Sequence, residues 1–179
     1  MVEVRFYDTV NDELLKFAVI ISQSNGKWVF CKHKERDTYE VPGGHREAGE
    51  NILETAKREL QEETGAIKFE IKPICVYSVT GKTRVNDTGE ETFGLLYFAE
   101  ITEFTKELHS EMEKVVLMDK LPENWTYPEI QPRLLEEARQ RGFLPKKDEI
   151  KWLFFDVGST LIDDCLLYTS DAADEARSV

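Results

Sequence analysis

Cysteine is scarce in this chain. Three residues (Cys31, Cys75 and Cys165) are too few, and odd in number, for a disulfide framework, and their spacing is not of a metal-binding type. Buried free thiols in a reduced, cytoplasmic setting are the expectation. No apolar run approaches the roughly 20 residues that a membrane-spanning helix needs. The N-terminus, MVEVRFYDTVNDE, lacks a basic stretch followed by an apolar core, so no signal peptide is expected. Basic residues are also in deficit: 23 Lys and Arg stand against 35 Asp and Glu, a formal net charge of −12. Such a surface repels nucleic-acid backbones and anionic membranes, so neither is expected as a partner. It also requires that any phosphate-bearing substrate meet cations locally, as Lys and Arg or as a divalent metal. What is present is 41% hydrophobic and 32% charged residues over 179 positions, a globular composition with length for one domain and some to spare.

The pattern along the chain alternates strands and helices. Residues 16–23 and 27–33 are apolar, β-branched or aromatic runs separated by Ser24-Asn25-Gly26, a hairpin signal. A short extended piece, Tyr39-Glu40-Val41, meets Pro42-Gly43-Gly44, which is expected to end the strand and open a loop. Residues 51–64 read as a helix: Asn51 and Glu54 suit a capping box, and Ile52, Ala56 and Leu60 form an apolar stripe. Gly65 is a natural stop. Strands are expected over 67–79, 92–102 and 113–118, and a second helix over 128–141. The polar link TGKTRVNDTGEE is long enough to suggest a functional loop. This order predicts an α/β sandwich with a mixed sheet between helices.

The first helix ends on an unusual crowd of acids. At 100° per residue, Glu59, Glu62 and Glu63 lie within an arc of about 100°. They stand near the negative end of the helix dipole and within repulsive spacing of one another, and Arg58 offsets only part of this. Glu63 points close to the buried stripe, where a lone carboxylate is costly. Local conflicts of this kind tend to mark functional sites, and a hard divalent cation would resolve them.

The spacing carries a family resemblance. Gly44, five residues, Glu50, seven residues, then Arg58-Glu59-Leu60-x-Glu62-Glu63-x-Gly65-Ala66 resembles the Nudix box at every fixed position, with Ala66 small where the family has a bulky apolar residue. The likeness extends over about residues 14–142. It implies a Nudix-type α/β/α sandwich and a Mg²⁺-dependent pyrophosphohydrolase, with Mn²⁺ as the alternative metal. It implies that Glu59, Glu62, Glu63 and the Gly44 backbone hold the metal, that Arg58 orients Glu59, and that Glu50 supports the metal cluster or its waters. Gly43 and Gly44 would lie against the phosphates. Chemically, a polarised water attacks one phosphorus of a P–O–P bridge, and a base takes its proton. Outside the box, Glu111 and Glu113 are candidate bases. Lys82 and Arg84, in the 80–91 loop, are candidate phosphate contacts.

The substrate implied is a small-molecule nucleotide, first of all a nucleoside triphosphate, with oxidised purine nucleotides in view. Phe17, Tyr77, Phe93 and Tyr97 could stack on a base or fill the core. The alternatives are a nucleotide-sensing module on the same fold and a fragment of a bifunctional Nudix–phosphatase fusion. The latter arises from the tail. Residues 1–145 read as the Nudix domain. Within 146–164, WLFFDVGSTLID resembles the first motif of haloacid dehalogenase-type phosphatases, with Asp156 as nucleophile and Gly158 where the second acid is usual. Residues 165–179 resemble the in-frame translation of a sequencing adapter, which implies a non-native tail.

Overall fold

The computed structural model describes residues 2–34, 36–84, 86–105 and 112–145. Met1–Pro145 is one compact unit. Asp156 and both tail segments lie outside the described residues, as does Glu111.

Eight strands and two α-helices are present among the described residues. In chain order they are β1 (Glu3–Tyr7), β2 (Leu15–Ser24), β3 (Lys27–His33), β4 (Tyr39–Glu40), β5 (Gly43–His45), α1 (Ile52–Thr64), β6 (Ala66–Thr80), β7 (Thr92–Phe104), β8 (Met112–Met118) and α2 (Gln131–Gln140). The sheet runs β1-β6-β7-β2-β3-β4, with β5 also paired to β2 and β8 to β3. β2 and β7 pair in parallel and the other neighbours are antiparallel, so the sheet is mixed, as expected.

Residue parity sorts the two faces. Ala18 and Ile20 of β2 join Tyr97, Ala99 and Ile101 of β7 under the α1 stripe of Ile52, Ala56 and Leu60. Their neighbours Ile21 and Leu96 face the other way, under Leu134, Leu135 and Ala138 of α2. One helix therefore covers each face, which makes the α/β/α sandwich. The turn between β2 and β3 places Asn25 (φ 50°) and Gly26 (φ 75°) in left-handed conformations, the pairing a two-residue hairpin needs.

Three local expectations shift. β1 is an additional edge strand beside β6, with the alternating Val4 and Phe6 packed toward α2. Gly43–His45 is a strand rather than the mouth of a loop, because its backbone pairs with Phe17–Val19. α2 begins at Gln131, since 128–130 form a turn whose Ile130 and Gln131 N–H groups both bond Tyr127 O.

Candidate active site

The site begins with how α1 is anchored. Asn51 Oδ1 accepts from the N–H groups of Leu53 and Glu54, and Glu54 Oε2 accepts from Asn51 N–H at 2.8 Å, closing the capping box. Gly65, at φ 70°, ends the helix in the left-handed region where a side chain would be strained. Between these fixed ends the acids have a set position relative to β5.

Arg58 is the hub. Its Nε donates to Glu50 Oε1 at 2.7 Å and its Nη2 to Glu50 Oε2 at 3.2 Å, a two-pronged grip. Nη1 donates to Glu59 Oε1 at 2.8 Å and to Glu62 Oε2 at 3.3 Å, and Nη2 reaches His45 O at 3.0 Å. Glu50 also accepts from Thr55 Oγ1 at 2.8 Å and from Glu47 N–H at 3.1 Å. Its bond to Arg58, above all, holds its carboxyl down to about 2. Glu50 is thus bound up with Arg58, and its pull on that side chain steadies the arm that holds Glu59.

Glu59 sits directly on the backbone of Gly44. A Cβ on Gly44 would overlap the Glu59 carboxylate, so only glycine lets Glu59 keep this position. Gly43 is similarly confined: a Cβ there would come within 2.5 Å of Ala18 O across the β5–β2 pairing. Its N–H donates to Glu63 Oε2 at 2.9 Å. Burial pushes the Glu63 carboxyl up to about 8, and the charges of Glu59, Glu40 and Glu62 add to this against the single N–H donor. Burial also raises the Glu59 carboxyl, with Arg58 opposing. Glu62 is the most exposed of the three.

Such a donor set suits a hard divalent cation. Three carboxylates and a bare backbone segment offer oxygen ligands, and a positive charge would relieve two carboxyls that burial disfavours. Among the described residues no three acid, His or Cys side chains already close on one ion-sized point. The reason is visible: Arg58 bonds both Glu59 and Glu62, while Glu63 turns to Gly43.

Beside this cluster lies a cavity of about 260 Å³. Glu63, Gly43 and Gly44 border it on one side. Phe17, Val19 and Tyr77, from the sheet face under α2, form its floor, and Tyr127, Ile130 and Gln131 form the α2 side. Phe17 and Tyr77 therefore face the cavity. Phe93 and Tyr97 face α1 and serve the core, as alternate strand positions do. Phe17 also packs on His45, ring centroids 4.3 Å apart.

The loop residues that border the cavity are Thr83, Asn86 and Thr92. Lys82 and Arg84 are exposed and are not in its wall, and the Lys82 stem lies near Gly89. Glu113 stands at the start of β8, and its side chain is outside the described residues. Arg36 and Glu40 were not singled out from the sequence. Both line the cavity, with Arg36 Nη1 3.9 Å from Glu40 Oε2. No spacing or motif marked them, because neighbouring β4 with the 124–126 segment is a tertiary event.

Known proteins share this fold and sequence. A family model described as NUDIX domain matches residues 13–153. A Bacillus subtilis (strain 168) protein named "Putative 8-oxo-dGTP diphosphatase YtkD" is 36% identical over 124 residues, 69% of this chain and 74% of that protein. The crystal structure of the Bacillus subtilis pyrophosphohydrolase BsRppH, solved as a mutant, superposes with a TM-score of 0.65 at 29% identity, over 79% of this chain and 92% of that one. A UDP-X diphosphatase structure shares the fold with a TM-score of 0.58 at 19% identity, over 71% of this chain and 62% of that one.

Proposed function

This chain belongs to the Nudix family and is a Nudix hydrolase, and from that premise we propose that it cleaves the P–O–P bridge of a nucleoside triphosphate with Mg²⁺, or Mn²⁺ in its place. The observation that carries this reading is the Arg58-held group of Glu59, Glu62 and Glu63 against Gly43–Gly44, at the edge of an aromatic-floored cavity. When bound, the divalent cation that Nudix hydrolases generally use supplies positive charge for the phosphoryl oxygens and makes a water acidic.

The chain's own residues do the rest. Glu59, Glu62 and Glu63 would provide the carboxylate ligands. Arg58 fixes the Glu59 rotamer, and Glu50 with Thr55 fixes Arg58, so Glu59 is held before substrate arrives. The missing side chain at Gly44 lets the Glu59 carboxylate lie on the backbone, which brings that ligand to the edge of the cavity. Glu113 and the box glutamates are the candidates for the base that takes the water's proton. Phe17, Tyr77 and Tyr127 give the nucleobase apolar and aromatic surface. The relative's name supports an oxidised guanine nucleotide as the first substrate to try.

Purified chain is expected to release phosphate or pyrophosphate from nucleoside triphosphates with Mg²⁺ and to stop when the metal is chelated. Unchanged turnover in a Glu62→Gln, Glu63→Gln double variant would sink the assignment of those residues. Binding without turnover by the unaltered chain would sink the enzyme reading in favour of a nucleotide sensor.

A further inference from the structure

Glycine inside a strand forfeits side-chain packing and costs backbone entropy, and the close approach of another group is one thing that offsets this. Gly94 lies within β7 and is buried. β7 keeps an unbroken register with β6 there, with Phe93 opposite Ser78, Gly94 opposite Tyr77 and Leu95 opposite Val76, so no bulge between these two strands accounts for the glycine. What approaches is Tyr77. A Cβ on Gly94 would stand 2.6 Å from both Cζ and Oη of Tyr77 and 2.7 Å from its Cε1, so the ring leans across β7. Phe6 stands opposite Tyr77 on β1, and Cys75 and Val79 flank it on its own strand, all on the α2 face. Burial alone pushes the Tyr77 hydroxyl up, with no charge or hydrogen bond contributing, so packing is what fixes the ring. On the other side of Gly94 the paired residue is Phe17, whose ring packs on His45, its partner on β5. One row therefore crosses four strands as Tyr77, Gly94, Phe17 and His45, and its three side chains all line the cavity. An aromatic ring over a cross-strand glycine can serve stability alone; this one lies in the floor of the cavity.

We propose that Gly94 is a specificity-determining residue: having no side chain, it keeps the Tyr77 ring down on the sheet and so sets how large a nucleobase can lie on the floor between Tyr77 and Phe17. The inference rests on the nucleotide reading above. A methyl group at position 94 meets the tip of the Tyr77 side chain rather than backbone, so it is the ring that must yield. With Phe6, Cys75 and Val79 around it, the ring can yield only upward, into a cavity of about 260 Å³. The space lost is that of the methyl and of the raised phenol edge together. A two-ring purine needs the whole floor and a one-ring pyrimidine does not, so the loss falls unevenly on the two. Extra bulk forced into a filled site costs more than its added contacts return. Gly94 belongs neither to the Arg58 cluster nor to the Gly43–Gly44 segment, so it acts on the base and not on the bond that breaks.

The test uses dGTP and dCTP analogues in which methylene groups replace both bridging oxygens, titrated calorimetrically into the full chain with Mg²⁺ present. Gly94→Ala should weaken the purine analogue at least about tenfold and the pyrimidine analogue by less than about threefold. A purely structural pairing would leave the ratio of the two affinities unmoved. Tyr77→Leu removes the colliding atoms, so in that background Gly94→Ala should change purine affinity by less than about twofold. Thermal melts check that each variant folds. If Gly94→Ala does not, nuclear Overhauser contacts in the unaltered protein decide: contacts from the purine H8 or the sugar H1′ to the Gly94 Hα protons or the Tyr77 ring support the proposal, and their absence overturns it. Equal weakening of both analogues by Gly94→Ala overturns it, and so does unchanged binding of both or a tenfold loss that persists in the Tyr77→Leu background. Binding of neither analogue by the unaltered protein overturns the nucleotide reading and this proposal with it. A selective purine loss in a chain that hydrolyses no nucleoside triphosphate would overturn the turnover reading and leave the role of Gly94 standing.

Discussion

At the scale of single residues, the site depends on one absent side chain and one planar cation. Gly44 leaves room for the Glu59 carboxylate on its own backbone. Gly44→Ala should push Glu59 off and break its 2.8 Å bond to Arg58. A displacement of about 1 Å at reacting groups costs on the order of a hundredfold. Steady-state kinetics should show kcat/KM down by about that factor, while a melt shows stability down by only about 1 kcal/mol, since a side-chain tip is what must yield. Arg58→Lys keeps the charge but loses the fork that grips Glu50 and Glu59 together. Its expected cost is about 10–100-fold in activity or metal affinity, measured by metal titration of the rate. The box residues were legible because their spacing is rigid and local. Arg36, Glu40 and Gln131 were not, because the 124–126 segment meets β4 only in the folded chain.

At the scale of elements, α1 joins core and chemistry. Leu60, fully buried, secures the helix to the sheet one position from Glu59. Leu60→Ala should cost about 2–5 kcal/mol in denaturant unfolding, by lost burial plus the cavity left behind. Asn51→Ala removes the acceptor for two helix N–H groups and should cost about 1 kcal/mol. Helix and hairpin were both readable from capping and turn chemistry, which act over a few residues. β1 and β5 were harder to read. β1 is five residues long and pairs with Val76–Thr80, far along the chain, and β5 contains two glycines whose strand geometry comes from β2.

At the scale of the whole molecule, stability should track pH through the buried acids. The Glu63 carboxyl is raised from 4.5 to about 8, so without metal the fold is favoured fully below about pH 4.5 and loses that contribution as pH rises through 8. Glu50 acts in the opposite sense. Its carboxyl is lowered to about 2, so its contribution is present above about pH 4.5 and is lost as pH falls toward 2. Metal-free protein should therefore melt lower at pH 8.5 than at pH 6. Mg²⁺ should raise the melting temperature more at pH 8.5, because the cation binds the ionised form. Glu63→Gln should flatten this slope, and an unchanged slope would show that Glu63 is not its source. The described unit also suggests a domain limit. A chain ending at Pro145 should fold and turn over substrate like the full chain, as circular dichroism and the phosphate-release assay would show.

The sequence by itself determined the box, its helix with both caps, the β2–β3 hairpin and the α/β pattern, and it raised the expectation of a cation at the acidic helix end. All of these follow from interactions within a turn or two of the chain. Only the tertiary structure decided which aromatics face the cavity, that Glu50 binds Arg58, and that Glu40 and Gln131 border the same cavity. Those outcomes depend on the parity of paired strands and on segments far apart in the chain, and each arises only when the sheet closes and the two helices cover it.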